Sequence, residues 1–467
     1  MNSLIGIQVP VVSFVDEGFR ETIDRLNEIG VNAVFVGSQA FDRGVQGRHA
    51  EFRPWPGHGP RELDEHIGGA YFAQHAEYYQ GTLLGPFRAP DKDVKDVDIL
   101  EQLIPVAKAR DTKVYSFILE NTHSGLTRFV PNWPKVLQVD AWGMADNYAC
   151  IRNPDYINWF LSLVEDQIKS YSIDGLMFGS ERNGPLGNVL EDGGLARDGR
   201  PYCFCEYCVA AGEREGIDSR RAAEGYRKLY ALTIGRDDPD EVGDSAYVRF
   251  WRLLLNYPEI IAWEQFWHRG YESLLKRIYG TAKFLNSEIQ VGWHIWHHNS
   301  FSAVYRAQMP FREIAEYSDF VKPVVYNTVA GYRIHAYIRA LCKSVFRGVD
   351  EQTVYDLHRQ ALGYDEACKF DDLPGRGFSA DYVRRETART VAAVAGKAKV
   401  YPGIDVDVAA PAHVVRSTPE NVGASLAAAF EAGADGVIIS RKYSEMEVQN
   451  LDAIGRTLRA LGRAPAG

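Results

Sequence analysis

The sequence predicts an α/β fold, a closed (β/α)8 TIM barrel, and three observations carry that expectation. Short runs rich in aliphatic and β-branched residues recur eight times along the chain. Amphipathic helical stretches separate them, which is the pattern of repeated βα units on a parallel sheet. Eight such units are the number that closes a barrel. An open doubly wound sheet would carry a glycine-rich phosphate loop after its first strand, and none follows Leu4-Ile5-Gly6-Ile7-Gln8-Val9.

The first strand is expected over 4–9 and is followed by a helix over 16–29. Ile29-Gly30-Val31-Asn32-Ala33-Val34 then reads as a helix–Gly–strand junction, with glycine as the left-handed helix cap, and places strand two at 33–36. A helix over 98–109 precedes strand three at 113–119, and a helix over 154–170 precedes strand four at 175–178. Strand five is Gln290-Val291-Gly292-Trp293-His294-Ile295, and strand six is expected over 320–326. Strand seven, 399–406, follows a helix over 380–395. Strand eight, 436–440, follows a helix over 417–432 and repeats the glycine junction in Ala432-Gly433-Ala434-Asp435-Gly436-Val437; a helix over 446–461 closes the chain. Long loops are expected after strands two, three, four and six, at 37–97, 120–153, 182–245 and 327–376. All would lie on the C-terminal face, where barrels carry their sites. A single domain over 1–467 is expected, with a frayed tail from Arg463.

The 467 residues are 46% hydrophobic and 24% charged, with a net charge of −10, ordinary for a globular enzyme. The acidic balance argues against nucleic acid or an anionic membrane as partner. No apolar stretch approaches the roughly 20 residues that span a bilayer. Met1-Asn2-Ser3 leads straight into the first strand without a basic signal-peptide start. Six cysteines in so long a chain are no disulfide framework. A cytoplasmic enzyme acting on a small molecule is expected, with homo-oligomerisation left open. Many aromatics fall in loops: Phe52, Trp55, Tyr71, Phe72, Tyr78, Tyr79, Trp133 and Trp142. They could form stacking platforms for sugar faces or pack down as local minicores.

Cys203-Phe204-Cys205-Glu206-Tyr207-Cys208 is a chelating arrangement that Cys150 can complete. Thiolates at this spacing converge on one soft cation, so a structural Zn2+ is expected at Cys150, Cys203, Cys205 and Cys208, clipping the loop at about 182–245. Four thiolates leave no open position for chemistry. Small buried hydrophobes are the competing reading.

Polar residues at barrel strand ends converge on one pocket. They are Glu120, Glu181, His294 with His297 and His298, Lys322, Tyr326, Asp405, Asp407, Arg441 and Lys442. Glu181 and Asp405, on nearly opposite strands, could flank a glycosidic bond, one protonating the leaving oxygen and the other attacking C1 or activating water. Asp407 shares the parity of Asp405 and stands as its alternate. Tyr401-Pro402-Gly403-Ile404 leads into Asp405, with Gly403 free to bend the strand end. Glu181 could instead pair with Arg182. Glu120, His294, His297, Lys322, Tyr326 and Arg441 would bind substrate hydroxyls or, for Lys322 and Arg441, an acidic sugar. The histidine run could also hold a catalytic metal.

Ala149-Cys150-Ile151-Arg152-Asn153-Pro154-Asp155-Tyr156, the strand ending in Ser180-Glu181, and the cysteine cluster together resemble glycoside hydrolase family 42 β-galactosidases over roughly 148–210. Gly68-Gly69-Ala70-Tyr71-Phe72, Asp98-Ile99-Leu100 and Ser440-Arg441-Lys442-Tyr443 look more like uncharacterised hypothetical glycosyl hydrolase barrels. The resemblance implies zinc on the cysteines, Glu181 as acid/base and a strand-seven carboxylate as nucleophile. Two residues depart from it: Ser180 stands where the family has asparagine, and strand seven offers aspartates in place of glutamate. The alternative from another class is a sugar isomerase, epimerase or lyase using His294, Glu181 and Asp405 for metal binding or proton abstraction.

Overall fold

The computed structural model of the chain describes residues 3–41, 68–91, 94–120, 130–191, 199–236 and 243–463. Eight parallel strands form the barrel: β1 Leu4–Val9, β2 Ala33–Phe41, β3 Lys113–Leu119, β4 Gly175–Gly179, β5 Gln290–Ile295, β6 Phe320–Pro323, β7 in two segments, Lys399–Val400 and Gly403–Asp405, and β8 Gly436–Ser440. The order runs β7-β6-β5-β4-β3-β2-β1-β8-β7. Strand seven closes the ring with its two halves. Lys399 and Val400 pair with Phe320 and Val321 of β6, while Gly403, Ile404 and Asp405 pair with Ile438, Ile439 and Ser440 of β8. Pro402 sits at the break, where it has no N–H to donate to a ladder.

Several boundaries differ from the sequence expectation. The first helix is two, Val11–Glu17 and Phe19–Glu28, separated at Gly18 with φ +91. Strand two runs on to Phe41 and pairs antiparallel with a short strand, Gly68–Ala70. Strand six ends at Pro323, and Tyr326 starts the helix Asn327–Lys343. Strand five is followed by three short helices, His298–Phe301, Ala303–Gln308 and Phe311–Ile314. The loop after β4 folds into helices Pro185–Glu191, Glu206–Arg214, Ser219–Thr233 and Ala246–Asn256 before the long helix Glu259–Leu285.

Side chains alternate in and out along each strand. Ala33, Phe35, Tyr115, Met177, Phe320 and Ile438 fill the barrel interior as one buried cluster. Gly6 and Gly292 leave room for the rings, since a Cβ there would stand 2.5 Å from Phe35 and 2.3 Å from Phe320. One layer further toward the C-terminal end the inward residues turn polar: Gln8, His294 and Lys322, joined by Tyr326.

The loop aromatics are mostly minicore. Tyr71, Phe72, Tyr79 and Trp133 are buried; Trp133 packs edge-on against Tyr156 and Trp159. Trp142 is exposed and meets Tyr230 edge-on. Phe52 and Trp55 lie outside the described residues. No described helix is long and apolar enough to cross a membrane.

Candidate active site

Glu181 follows β4 on the inward parity of Met177 and Gly179, so its carboxylate rises at the barrel mouth with 16% of the side chain exposed. His294 of β5 stands beside it, Nε2 at 3.2 Å from Glu181 Oε1. The close approach is possible because residue 179 is glycine; a Cβ there would lie 2.8 Å from His294.

Below His294, the Lys322 side chain is fully buried, its Nζ 3.1 Å from His294 Nδ1, 3.0 Å from Gln8 Oε1 and 3.2 Å from Tyr326 Oη. Gly403 makes this possible. A Cβ there would sit 2.7 Å from Lys322 Cε, so Gly403, the first residue after the break in β7, supplies space for the lysine. Burial lowers the Lys322 pKa to about 7, against the pull of Glu181 and with a further push from Arg333. Holding an amine near 7 rather than 10.5 costs on the order of 5 kcal/mol. The sign follows from proton binding. The unfolded chain holds the extra proton between those two pH values, so the penalty is full at and below pH 7 and fades as pH rises toward 10.5. Lys322→Met is therefore expected to raise the melting temperature at pH 7, with a gain that shrinks at alkaline pH in a calorimetric series.

Asp405 ends β7 and is buried. Its two oxygens accept from Val329 N–H at 3.2 Å, in the first turn of helix Asn327–Lys343, and from Val408 N–H at 3.4 Å. Burial raises its pKa to about 6, against these two amides and Arg333. Asp407 departs from the shared parity. The chain turns left-handed there, with φ +52, and Oδ2 accepts from Glu447 N–H at 2.7 Å and Asn450 Nδ2 at 2.9 Å. Asp407 thus ties the strand-seven loop to the last helix, and the geometry does not bring it to Glu181.

The expected binding residues divide. Glu120 falls on the outward parity of β3 and is 1% exposed, accepting from Arg182 Nη2 at 2.7 Å, Tyr156 Oη at 2.9 Å and Ser180 Oγ at 3.0 Å. Arg182 pairs with Glu120, not Glu181. Glu120 is a buried anchor of the barrel wall and not part of the mouth. Arg182→Met should cost about 3–5 kcal/mol in denaturant unfolding, because it strands a buried carboxylate. His297 is fully buried between Arg333 Nη1 at 3.0 Å and Tyr382 Oη at 2.8 Å. Arginine only donates, so Nδ1 accepts and the ring proton is on Nε2; burial and then Arg333 hold the His297 pKa well below its usual value. Tyr326 is buried over Lys322. Arg441 is 19% exposed at the side chain and lies 3.2 Å from each oxygen of Glu445. Lys322, wholly buried with three partners, cannot offer its charge to an acidic sugar directly.

Two residues were missed. Gln8 shares the inward parity of Leu4 and Gly6, which was a readable signal. Arg333 acts on Lys322, His297, Tyr326 and Asp405; it sits on a helix, where strand-end reasoning had no purchase.

The four cysteines converge as expected. Their sulfurs all lie within 4.8 Å of one another, with Cys150 Sγ 3.5 Å from Cys208 Sγ and 3.4 Å from Cys205 Sγ. A tetrahedral ion with 2.3 Å metal–sulfur bonds needs sulfurs about 3.8 Å apart, so the set fits a metal. Backbone N–H groups of Val139, Cys205 and Arg152 approach Cys203 Sγ at 3.5 Å, Cys203 Sγ at 3.4 Å and Cys150 Sγ at 3.4 Å, donors that suit thiolates. Cys150 follows the antiparallel ribbon Leu137–Val139 with Ala145–Ala149 in the loop after β3. The other three belong to the loop after β4. The cluster therefore joins two loops of the C-terminal face. Trp263 of the long helix backs it, stacked on Phe204 at 5.0 Å and donating Nε1–H to Cys203 O at 3.2 Å.

No family model matches the chain, and no curated protein matches it in sequence. Solved structures do resemble it. The glycoside hydrolase domain of PgaB (BpsB) from Bordetella bronchiseptica matches with a TM-score of 0.50 at 12% identity over 98% of both chains. A β-galactosidase from the Antarctic haloarchaeon Halorubrum lacusprofundi matches with a TM-score of 0.51 at 14% identity over 99% of this chain. One from the psychrophilic Marinomonas ef1 matches with a TM-score of 0.50 at 11% identity over 98% of this chain. The chain spans 58% and 59% of those two β-galactosidases. At these identities the likeness is one of fold: the chain is a TIM barrel.

Proposed function

We propose that the chain is a glycoside hydrolase working as one barrel domain on small oligosaccharides or glycosides. Glu181 is the general acid/base, and Asp405 is the nucleophile or the base that activates water. The observation that carries this reading is Glu181 itself: a partly exposed carboxylate at the end of β4, held by His294 above a buried lysine, with a second inward carboxylate on β7. The barrels it resembles include a glycoside hydrolase domain and two β-galactosidases by name, which supports the class without naming the sugar.

Asp405 must be ionised to attack C1. Its pKa of about 6 therefore predicts that turnover falls on the acid side with a midpoint near pH 6. Asp405→Ala should lose turnover, and azide should restore it with formation of a glycosyl azide. Loss of that acid limb without any azide product would assign Asp405 to water activation and inversion. A panel of aryl glycosides and natural disaccharides tests the class, with turnover of one or more expected and none on any glycoside contradicting it.

For the cysteine cluster we propose Zn2+, held by Cys150, Cys203, Cys205 and Cys208. Bound there, it would supply cross-linking and no chemistry, since all four positions are thiolate. Arg152 brings a cation toward this anionic set, its charge coupled to Cys208 and Cys150 while its guanidinium stacks 3.7 Å over Phe266.

A further inference from the structure

Lys322 is the feature the strand-end reading does not explain. It is fully buried, carries the cost derived above, and reaches no surface where substrate could lie. Its contacts form a line. Nζ meets His294 Nδ1 at 3.1 Å, and the same ring's Nε2 meets Glu181 Oε1 at 3.2 Å. An ammonium has three N–H donors and no lone pair. Gln8 Oε1, His294 Nδ1 and Tyr326 Oη are three acceptors for them. With Nδ1 accepting, the ring proton is on Nε2 and points at Glu181.

We infer that Lys322 and His294 form an internal proton relay that supplies Glu181 with the proton it gives to the leaving oxygen, Lys322 being a positioning residue that acts through His294. The inference rests on the hydrolase reading of Glu181. In the charged arrangement Lys322 is an ammonium, His294 is neutral with its proton on Nε2, and Glu181 is a carboxylate. Two proton shifts, Nζ to Nδ1 and Nε2 to Oε1, convert this to a neutral amine, a neutral imidazole of the other tautomer and a carboxylic acid. The N–H bonds at Nζ and Nε2 break, and bonds to Nδ1 and Oε1 form. Total charge is unchanged, no proton comes from solvent, and no other reactant is needed. Burial favours the neutral arrangement, because it removes two charges from a low-dielectric site.

Several charged and titratable groups among the described residues face this line. Arg333, Glu181 and Tyr326 surround Lys322; His297, Tyr305 and Arg441 also face Glu181; and Asp405 acts on Tyr326. Arg333 and Arg441 stay charged throughout, so they set a fixed background. The shared proton is a property of the set and not of one side chain.

The test is Lys322→Met in the full chain, read in two ways. For a substrate with a poor leaving group, the alkaline limb of the pH–rate profile should move down by about two pH units, from the range of the shared proton into that of an isolated glutamic acid. If Lys322 acted merely as a nearby cation, its removal would move that limb up; if it acted merely as packing, the limb would stay while the rate fell. Either result overturns the relay. The second reading needs no turnover. In infrared spectra near neutral pH, a protonated-carboxyl band that disappears in Glu181→Gln should be present in the wild type and absent in Lys322→Met. A wild type without that band overturns the relay. If no glycoside is turned over but the band behaves as expected, the hydrolase reading fails while the proton sharing stands. Should Lys322→Met not fold, His294→Phe breaks the line at its middle, beside the Phe117 ring at 5.8 Å, and carries the same expectations.

Discussion

Glu181→Gln is expected to lower turnover of glycosides with poor leaving groups by about 10²–10⁴-fold, the usual cost of removing a general acid. Substrate binding and melting temperature should change little. Glutamine is isosteric, and its amide oxygen can still accept from His294 Nε2, which lies 3.2 Å from the glutamate oxygen it replaces. Activated aryl glycosides need less protonation of the leaving oxygen and should lose less. Equal loss across both substrate types, measured as kcat/KM on matched leaving groups, would remove Glu181 from the acid role.

Cys205→Ser is expected to have the second large effect, on structure. Metal content should fall from one per chain to near zero, and protease should cut first within the loops that the cluster joins. Structural zinc contributes about 10–16 kcal/mol of binding energy in small zinc-dependent peptides. Here that energy would act on the junction between the loop after β3, which carries Cys150, and the insertion carrying Cys203, Cys205 and Cys208. The barrel interior, filled by Phe35, Tyr115, Met177, Phe320 and Ile438, does not depend on it, so the barrel should remain folded with altered loops. A wild-type protein with no bound metal and four titratable thiols at these positions would contradict the zinc assignment.

The eight strands were legible because each is a short aliphatic run with both faces buried, the form a parallel barrel strand takes. The cysteine centre was legible because chelation imposes spacing on the chain itself. Strand ends were less faithful guides, and parity explains why. Glu181 and His294 share the inward parity of their strands and meet at the mouth. Glu120 follows Leu119 and so points outward, where Ser180 and Arg182, just past the end of β4 and of the same outward parity, meet it. That outcome could have been read by extending the alternation one residue. Asp407 could not, because the strand ends at Asp405 and the left-handed turn at φ +52 cancels the alternation. Lys322 was rightly singled out as a strand-six polar residue, but its burial depends on Gly403 of the neighbouring strand seven, whose lack of a side chain matters only once the two strands lie side by side. Arg333 belongs to the same class, brought in by how a helix docks.

Water cleaving a bond to an anomeric carbon can be separated from proton-abstraction chemistry on the same barrel by isotope labelling. Wild-type protein is incubated with the oligosaccharide and glycoside panel in water enriched in oxygen-18, and the sugar products are analysed by mass spectrometry. A new reducing end carrying the heavy oxygen at C1 is expected, formed by wild type and suppressed in Glu181→Gln and Asp405→Ala. An unsaturated sugar without the label, or an isomerised sugar with no new reducing end, would contradict it.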